Sequence, residues 1–552
     1  MSSNPPAQPE YRPDIDGLRA VAVVSVIGFH AFPPWFRGGF IGVDIFFVIS
    51  GFLITSILLK SLARGQFTLL EFYSRRIKRI FPALILVLAA AFAFGWLTLF
   101  AFEYKNLGKH VAASAGFVAN LALWNEAGYF DSAAAAKPLL HLWSLGIEEQ
   151  FYVLWPLLLY LAWKCRLNLL FLLALILLLS FVLGVTTVNT DAVAGYYSPL
   201  TRFWELLIGG ALAYVPLYRP ALSAALAEHP RYDIKQRVAP LVGGATFSNI
   251  ISACGVLLIA DAIWTLDKEK AFPGWWALLP TVGAALIISA GPAAWINSRL
   301  LARRSMVGLG LISYPLYLWH WPLLSFAYIL DGEAIRPYAA FTAVMISVLL
   351  AWLTFDLLEK RIRSDGNNTF KVVATLCALM GAIGIAGYYT FTHDGFSFRH
   401  KGLEHLVAAS HDFEEPPHNA ILNGIPAWTV GNSNAEETIF VGDSTMQQYY
   451  PRIRELIGHG LDVDRNRIIF LTHPGCLPIP GIARAKDPAC ADFVDKALPA
   501  LDRASVKTVV ITALWTNHFM DADFYICATN LMSYCMTLAA PEIARSTAFN
   551  QC

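Results

Sequence analysis

About eleven stretches of this chain run for close to twenty residues with few charged side chains, and that repetition limits the fold more than any single motif. A helix rises about 1.5 Å per residue, so roughly twenty apolar residues cross the hydrocarbon core of a bilayer. The stretches are 17–36, 39–60, 79–101, 147–164, 167–188, 201–217, 246–266, 275–292, 307–329, 336–358 and 371–391. A further one, 110–124, is too short for a span and reads as interfacial or re-entrant. At 56% hydrophobic and 15% charged over 552 residues, the chain is too apolar for an ordinary soluble globule. A net charge of +1 supplies no basic excess for nucleic acid. The expected fold is mainly α, a polytopic membrane bundle of about ten helices plus one.

The N-terminal MSSNPPAQPEYRPDIDG is polar and proline-rich and lacks the features of a cleaved signal, so the first membrane helix is expected to stay as an anchor. Lys and Arg concentrate in alternate loops, at 60–79, 164–166, 219–237, 299–304 and 360–371, whereas the intervening loops hold fewer, among them Arg37, Lys105, Lys109 and Arg336. By the positive-inside rule the N-terminus is cytoplasmic and everything beyond about residue 392 is extracytoplasmic. Five of the eight cysteines lie beyond residue 470, where Cys476 and Cys490 are close enough for a short disulfide loop if that domain sits in an oxidising compartment. Cys527, Cys535 and Cys552 leave the pairing open, and Cys165, Cys254 and Cys377 read as small buried side chains in apolar segments.

From His393 the composition becomes that of a soluble domain, with HDFEEPPHN and AWTVGNSNAEE as loop-rich linkers. ETIFV (437–441), RIIFL (467–471) and KTVVITALW (507–515) read as buried strands, with a helix near 445–459 after the first, a pattern of parallel α/β structure. The turn between that strand and helix carries Gly442-Asp443-Ser444. A strand-to-helix turn exposes a serine hydroxyl beside backbone N–H groups, so Ser444 is a candidate nucleophile with Asp443 beside it.

Inside the apolar segments, ionisable residues need a reason. Arg19 and His30 share one helix; eleven steps place them on one face about 16 Å apart. The bland alternative is a snorkelling arginine and a core histidine. Asp44 lies in the second helix, and FYSRRIKRIFP places Arg75, Arg76 and Arg79 at the cytoplasmic interface, as a positive-inside signal or a cradle for a phosphorylated ligand. HLWSLGIEEQFYVLWP brings His141, Ser144, Glu148, Glu149 and Gln150 to the outer entrance of a membrane helix, RFWELLIGGALAY brings Arg202 and Glu205, and GLISYPLYLWHWPLL brings Tyr314 and His320.

These blocks, in this order, resemble the acyltransferase-3 family of bacterial membrane O-acyltransferases: YRPDIDGLRAVAV with Arg19-x10-His30, GGFIGVDIFFVISGFLIT, FYSRRIKRIFP, HLWSLGIEEQFYVLWP, RFWELLIGGALAY and SYPLYLWHWP, over about residues 11–365. FDLLEKRIR is similar too, with Lys360 where the family commonly has proline. The resemblance implies an acyl-CoA co-substrate, usually acetyl-CoA, used from the cytoplasmic side of the bacterial inner membrane, and no tightly bound cofactor. The acyl group would pass to a carbohydrate hydroxyl such as that of lipopolysaccharide O-antigen or another envelope glycan. It makes Arg19 and His30 the core pair, with His30 as general base or acyl carrier, Glu148 a further candidate and Arg75, Arg76 and Arg79 the phosphate holders.

The remainder resembles the SGNH hydrolase-like domain, of flavodoxin-like three-layer fold, that family members carry behind a linking helix. The expected division is 1–366 transmembrane domain, 367–395 linking helix, 396–435 linker and 436–552 SGNH-like domain. Cys476 in PGCLP and the later Cys490 match the fused domains and support their disulfide. The Asp-x-x-His that supplies the base in related domains is not found here, so the domain reads as one ending early or altered at its C-terminus. Two other readings compete: a transporter or flippase built on the buried charges, and a membrane-anchored esterase using Ser444.

Overall fold

The computed structural model describes residues 11–126, 134–227, 244–267, 270–331, 335–364, 369–400, 416–459, 466–479, 482–484, 489–513, 524–527 and 535–537. The chain divides into two compact units, Met1–Arg399 and His400–Cys552.

In the first unit the helices are α1 (Pro13–Ala31), α2 (Gly42–Ala63), α3 (Leu69–Thr98), α4 (Ala101–Ala115), α5 (Ala119–Glu126), α6 (Leu142–Lys164), α7 (Leu169–Thr190), α8 (Ala192–Tyr197) and α9 (Pro199–Ala227). They continue with α10 (Gly244–Thr265), α11 (Leu278–Ala290), α12 (Arg304–Leu311), α13 (Ser313–Asp331), α14 (Pro337–Leu353), α15 (Lys360–Ser364) and α16 (Thr369–Thr392). Every apolar stretch of the sequence is helical, with 307–329 interrupted at Ile312 between α12 and α13. Among the described residues, six helical segments are long and apolar enough to cross a membrane, formed around α2, α3, α7, α10, α14 and α16. Helices α1, α6, α9 and α13, which carry most of the intramembrane ionisable groups, are not among them. Their polar side chains lower the mean hydropathy, and they sit inside, whereas only 17–22% of the apolar windows of α7, α10, α14 and α16 is buried. Cys165, Cys254 and Cys377 are exposed on the outside of the bundle. The expected burial of these thiols fails because helices facing lipid need apolar character without burial.

Helix α3 begins at Leu69, capped by Thr68 Oγ1, which accepts from the Glu71 N–H at 3.4 Å. The basic run 75–79 therefore lies within the helix rather than before it. The 110–124 segment is the end of α4 and most of α5, a hairpin that turns at Phe117 with φ 55°. Helix α4, at fifteen residues, is about 22 Å long. It lies against α16, where a Cβ on Gly108 would stand 2.7 Å from the Gly387 carbonyl oxygen.

The α2–α9 crossing uses glycine from both sides. A Cβ at Gly51 would stand 1.7 Å from the Leu206 oxygen, and one at Gly209 would stand 2.0 Å from the Val48 oxygen. Backbones this close gain van der Waals contact where no hydrophobic gradient drives helices together.

In the second unit one sheet has the order β1-β2-β4-β3-β6, with β1 (Ala420–Leu422), β2 (Ile425–Val430), β3 (Glu436–Gly442), β4 (Asn466–Thr472) and β6 (Val506–Thr512). Strand β3 pairs in parallel with β4 and β6, and β1–β2 adds an antiparallel edge. The stretch 396–435, expected as linker, thus contributes two strands, because IPAWTV offers Ala427 and Trp428 to opposite faces of the sheet. Period-two alternation puts Ile439, Val441, Ile469 and Leu471 against helix 489–501 on one face, and Phe440, Ile468 and Phe470 against helix 450–458 on the other. The result is three layers. Cys476 and Cys490 are joined in a disulfide, with Cα atoms 5.2 Å apart. Strands β5 (Ile482–Arg484), β7 (Phe524–Cys527) and β8 (Cys535–Thr537) form a separate small sheet in a region where the sequence shows no periodicity. Cys552 and His518 lie outside the described residues.

Gly51→Leu is expected to destabilise the bundle by more than about 3 kcal/mol, since the side chain meets backbone oxygen rather than a movable side chain. A thermal-unfolding scan of the detergent-solubilised protein checks this; an unchanged midpoint would contradict the close crossing.

Candidate active site

Helix α3 sorts the three arginines by spacing. Positions three apart share a face, and Arg76 and Arg79 both line an inner cavity. Arg75 points elsewhere, 70% exposed and paired with Glu71. A second cavity opens beside the first, lined by Arg12, Lys60, Arg64 and Arg75 with Asp16 and Glu71, and Arg76 borders both. The outer cavity thus holds an excess of cations, and Arg76 marks the passage inward. Its guanidinium lies 5.6 Å from the centre of the Tyr152 ring.

The inner cavity is framed by apolar side chains of α2, including Phe46, Phe47 and Ile54. Apart from Ser50 of α2, its polar groups come from four other helices. Arg19 of α1 lines it, held by Asp16 at 3.3 Å. Glu148 accepts from Ser50 Oγ and from Tyr152 OH. Glu149 Oε1 and Ser313 Oγ are buried with no hydrogen-bond partner among the described residues, and both residues line the cavity. Unsatisfied buried acceptors and hydroxyls of this kind are costly unless a ligand completes them.

Tyr317 and Ser144 connect this cavity to a histidine cluster. The Ser144 and Tyr317 hydroxyls are 2.6 Å apart, and Tyr317 OH donates to the His141 carbonyl at 2.8 Å. The Tyr317 carbonyl accepts from His320 Nδ1 at 2.6 Å, and His320 Nε2 lies 3.0 Å from His30 Nδ1. His141 packs 5.5 Å from the His320 ring centre, and neither of its ring nitrogens has a hydrogen-bond partner among the described residues. The Trp321 ring lies 4.4 Å from His30, and its indole N–H donates to the Lys137 carbonyl. Sequence reasoning named Glu149 beside Glu148 but missed Tyr317 and Tyr152. A signal for Tyr317 was present, since Tyr314, Tyr317 and His320 recur every three residues on α13.

Asp44, Arg202 and Glu205 do not line these cavities. Arg202 is fully buried, 2.8 Å from Asp44 and 2.7 Å from Glu205, with Phe47, Trp143, Tyr196 and Phe272 rings around its guanidinium. The Arg202–Asp44 ion pair joins α9 to α2.

In the second unit, Gly442-Asp443-Ser444 follows the central strand β3, whose two parallel neighbours lie on opposite sides. The carboxyl end of such a strand is a topological switch point, where open α/β sheets bind ligands. Asp443 caps the helical turn 444–447 by accepting from the Thr445 N–H at 2.8 Å. His473 follows β4, and its N–H donates to the Gly442 carbonyl at 3.1 Å, but its ring lies against Cys476 Sγ.

These features converge with the comparisons. A family model described as an acyltransferase domain, acyltransferase-3, matches residues 12–356. A second, described as an SGNH domain fused to such domains, matches 412–543. The chain belongs to the acyltransferase-3 family of polytopic membrane proteins. The peptidoglycan O-acetyltransferase OatA of Listeria monocytogenes is 32% identical over 376 residues, covering 66% of this chain and 57% of that protein. The O-acetyltransferase OatA of Staphylococcus aureus is 32% identical over 371 residues, covering 66% of this chain and 59% of its own. The match thus spans a little over half the length of these curated relatives. No solved structure matches the chain.

Arg202→Met is expected to lower stability by about 3–5 kcal/mol, because it strands two buried carboxyl groups. Arg79→Ala, which opens a cavity wall, should leave the unfolding midpoint within a few degrees of the parent. Thermal scans of the two variants side by side check the contrast, and equal midpoints would contradict a structural role for the Arg202 cluster.

Proposed function

We propose that this chain is a membrane O-acetyltransferase that takes an acetyl group from cytoplasmic acetyl-CoA and delivers it to a hydroxyl of a cell-wall glycan. The observation that carries the reading is the succession of groups: cations at the outer cavity, Arg76 and Arg79 at the passage, a largely apolar inner cavity, and histidines beyond it. Coenzyme phosphates suit the arginines, which donate several charge-assisted hydrogen bonds in fixed geometry. The acyl-bearing arm suits the inner cavity, where the N–H and hydroxyl groups of such an arm match Glu149 Oε1 and Ser313 Oγ. His30 takes the proton of the attacking hydroxyl as its oxygen bonds to the thioester carbon, then returns a proton to the departing thiolate. The names of the relatives favour peptidoglycan over lipopolysaccharide O-antigen as the acceptor class. Ser444, at the switch point of the extracytoplasmic domain, is the candidate to receive the group before the final acceptor.

The test uses the full chain in vesicles with radiolabelled acetyl-CoA supplied on the cytoplasmic face. His30→Ala should reduce thiol release to background while the protein inserts normally, and Arg76→Ala or Arg79→Ala should raise the KM for acetyl-CoA about tenfold, the loss of roughly 1.4 kcal/mol of phosphate binding. Full activity of His30→Ala, or passage of intact substrate without acylation, would overturn the reading.

A further inference from the structure

We infer that His320 is a positioning residue that fixes which ring nitrogen of His30 carries the proton, and so makes His30 Nε2 the basic atom. The inference rests on the role proposed above for His30.

A neutral imidazole has one N–H and one lone pair, and a backbone carbonyl only accepts. His320 Nδ1 is 2.6 Å from the Tyr317 carbonyl oxygen, so the His320 proton sits on Nδ1 and its Nε2 presents the lone pair. That Nε2 is 3.0 Å from His30 Nδ1. Between two neutral rings, the only proton that can fill this contact is the one on His30 Nδ1. His30 Nε2 is left with the lone pair. Ring geometry agrees: the two planes differ by 10° with centroids 5.3 Å apart, as for imidazoles sharing a hydrogen bond in their common plane, where nitrogen lone pairs lie.

The chain is anchored at both ends. The Tyr317 carbonyl belongs to the same helix three residues earlier, and the Tyr317 hydroxyl is tied to Ser144 and to the His141 carbonyl. Trp321, the next residue of α13, lies against His30 and is itself held by the Lys137 carbonyl. The bonds that orient His30 therefore come from α13, about 290 positions along the chain. When Nε2 takes up the hydroxyl proton, the Nδ1–H remains on His320 Nε2, which stabilises the imidazolium without taking a proton. A third group that orients a base and selects its tautomer is the general logic of nucleophile activation, normally supplied by a carboxylate.

The experiment compares His320→Leu, His320→Gln and His30→Ala in the vesicle assay, with rates normalised to monodisperse protein by gel filtration. A glutamine amide oxygen reaches the position of His320 Nε2 and accepts from His30 Nδ1–H, whereas leucine fills the space and accepts nothing. His320→Leu is expected to lose roughly a hundredfold or more in turnover, the scale of a misdirected general base. His320→Gln should recover to within about tenfold of the parent, with KM for acetyl-CoA unchanged in both. Retained activity in His320→Leu, or equal loss in His320→Gln, would overturn the inference. An inactive His30→Ala beside an active His320→Leu would leave the role of His30 standing and remove only this step, whereas an active His30→Ala would remove both.

Discussion

A charge inside an apolar bundle must be neutralised where it sits, because the desolvation of an ion costs several kcal/mol and lipid offers nothing in return. That requirement arranges the first unit. Arg202 takes Asp44 from α2 and Glu205 from its own helix. Arg12 takes Asp14 in a bidentate pair, and Asn297 donates to the same carboxylate. The Asp44–Arg202 pair and the Asn297–Asp14 bond each close one segment onto another, so the polar helices gather in the centre and the apolar ones face outward. The glycine contacts then set how closely these helices approach.

Position divides the polar interior in two. The Asp44–Arg202–Glu205 cluster holds its charges in ion pairs and lines neither cavity. Glu149 Oε1 and Ser313 Oγ instead belong to residues that line the inner cavity, and neither atom has a hydrogen-bond partner among the described residues. A protein retains such groups where a ligand supplies the missing partners. Cavity position separates residues that the sequence presented together, since Asp44 and Glu148 both read as intramembrane carboxylates and only Glu148 reaches the cavity.

Much of the architecture was legible because it is periodic. Apolar runs gave the membrane helices and the strands β3 and β4 within a residue of their bounds, and β6 with an end three residues beyond the observed Thr512. The eleven-residue interval from Arg19 to His30 placed both on one helix before any coordinates. What escaped was non-periodic or polar. The strands β1 and β2 hid in a segment rich in turn residues, and the basic run of α3 masked a helix start ten residues earlier than its apolar part. Contacts such as His30 to His320 join positions about 290 apart, and no local pattern encodes them. For Ser444 the motif fixed the turn at the strand end.

Helix α13 shows how one local pattern serves two needs. Its three-residue repeat of Tyr314, Tyr317 and His320 builds one polar strip on an otherwise apolar helix. Tyr314 donates to the Ile80 carbonyl and so binds α13 to α3, which carries the arginines. Tyr317 borders the inner cavity and holds the loop before α6. His320 ends the strip on His30. One rigid element thereby fixes the spacing between the cation-lined passage and the histidine base, and rigid placement is what a transfer between two bound partners needs. The break at Ile312 lies outside this strip, where Gly310 lets α12 approach the Asp16 carbonyl, so the close crossing with α1 is made without bending the part of α13 that carries the site.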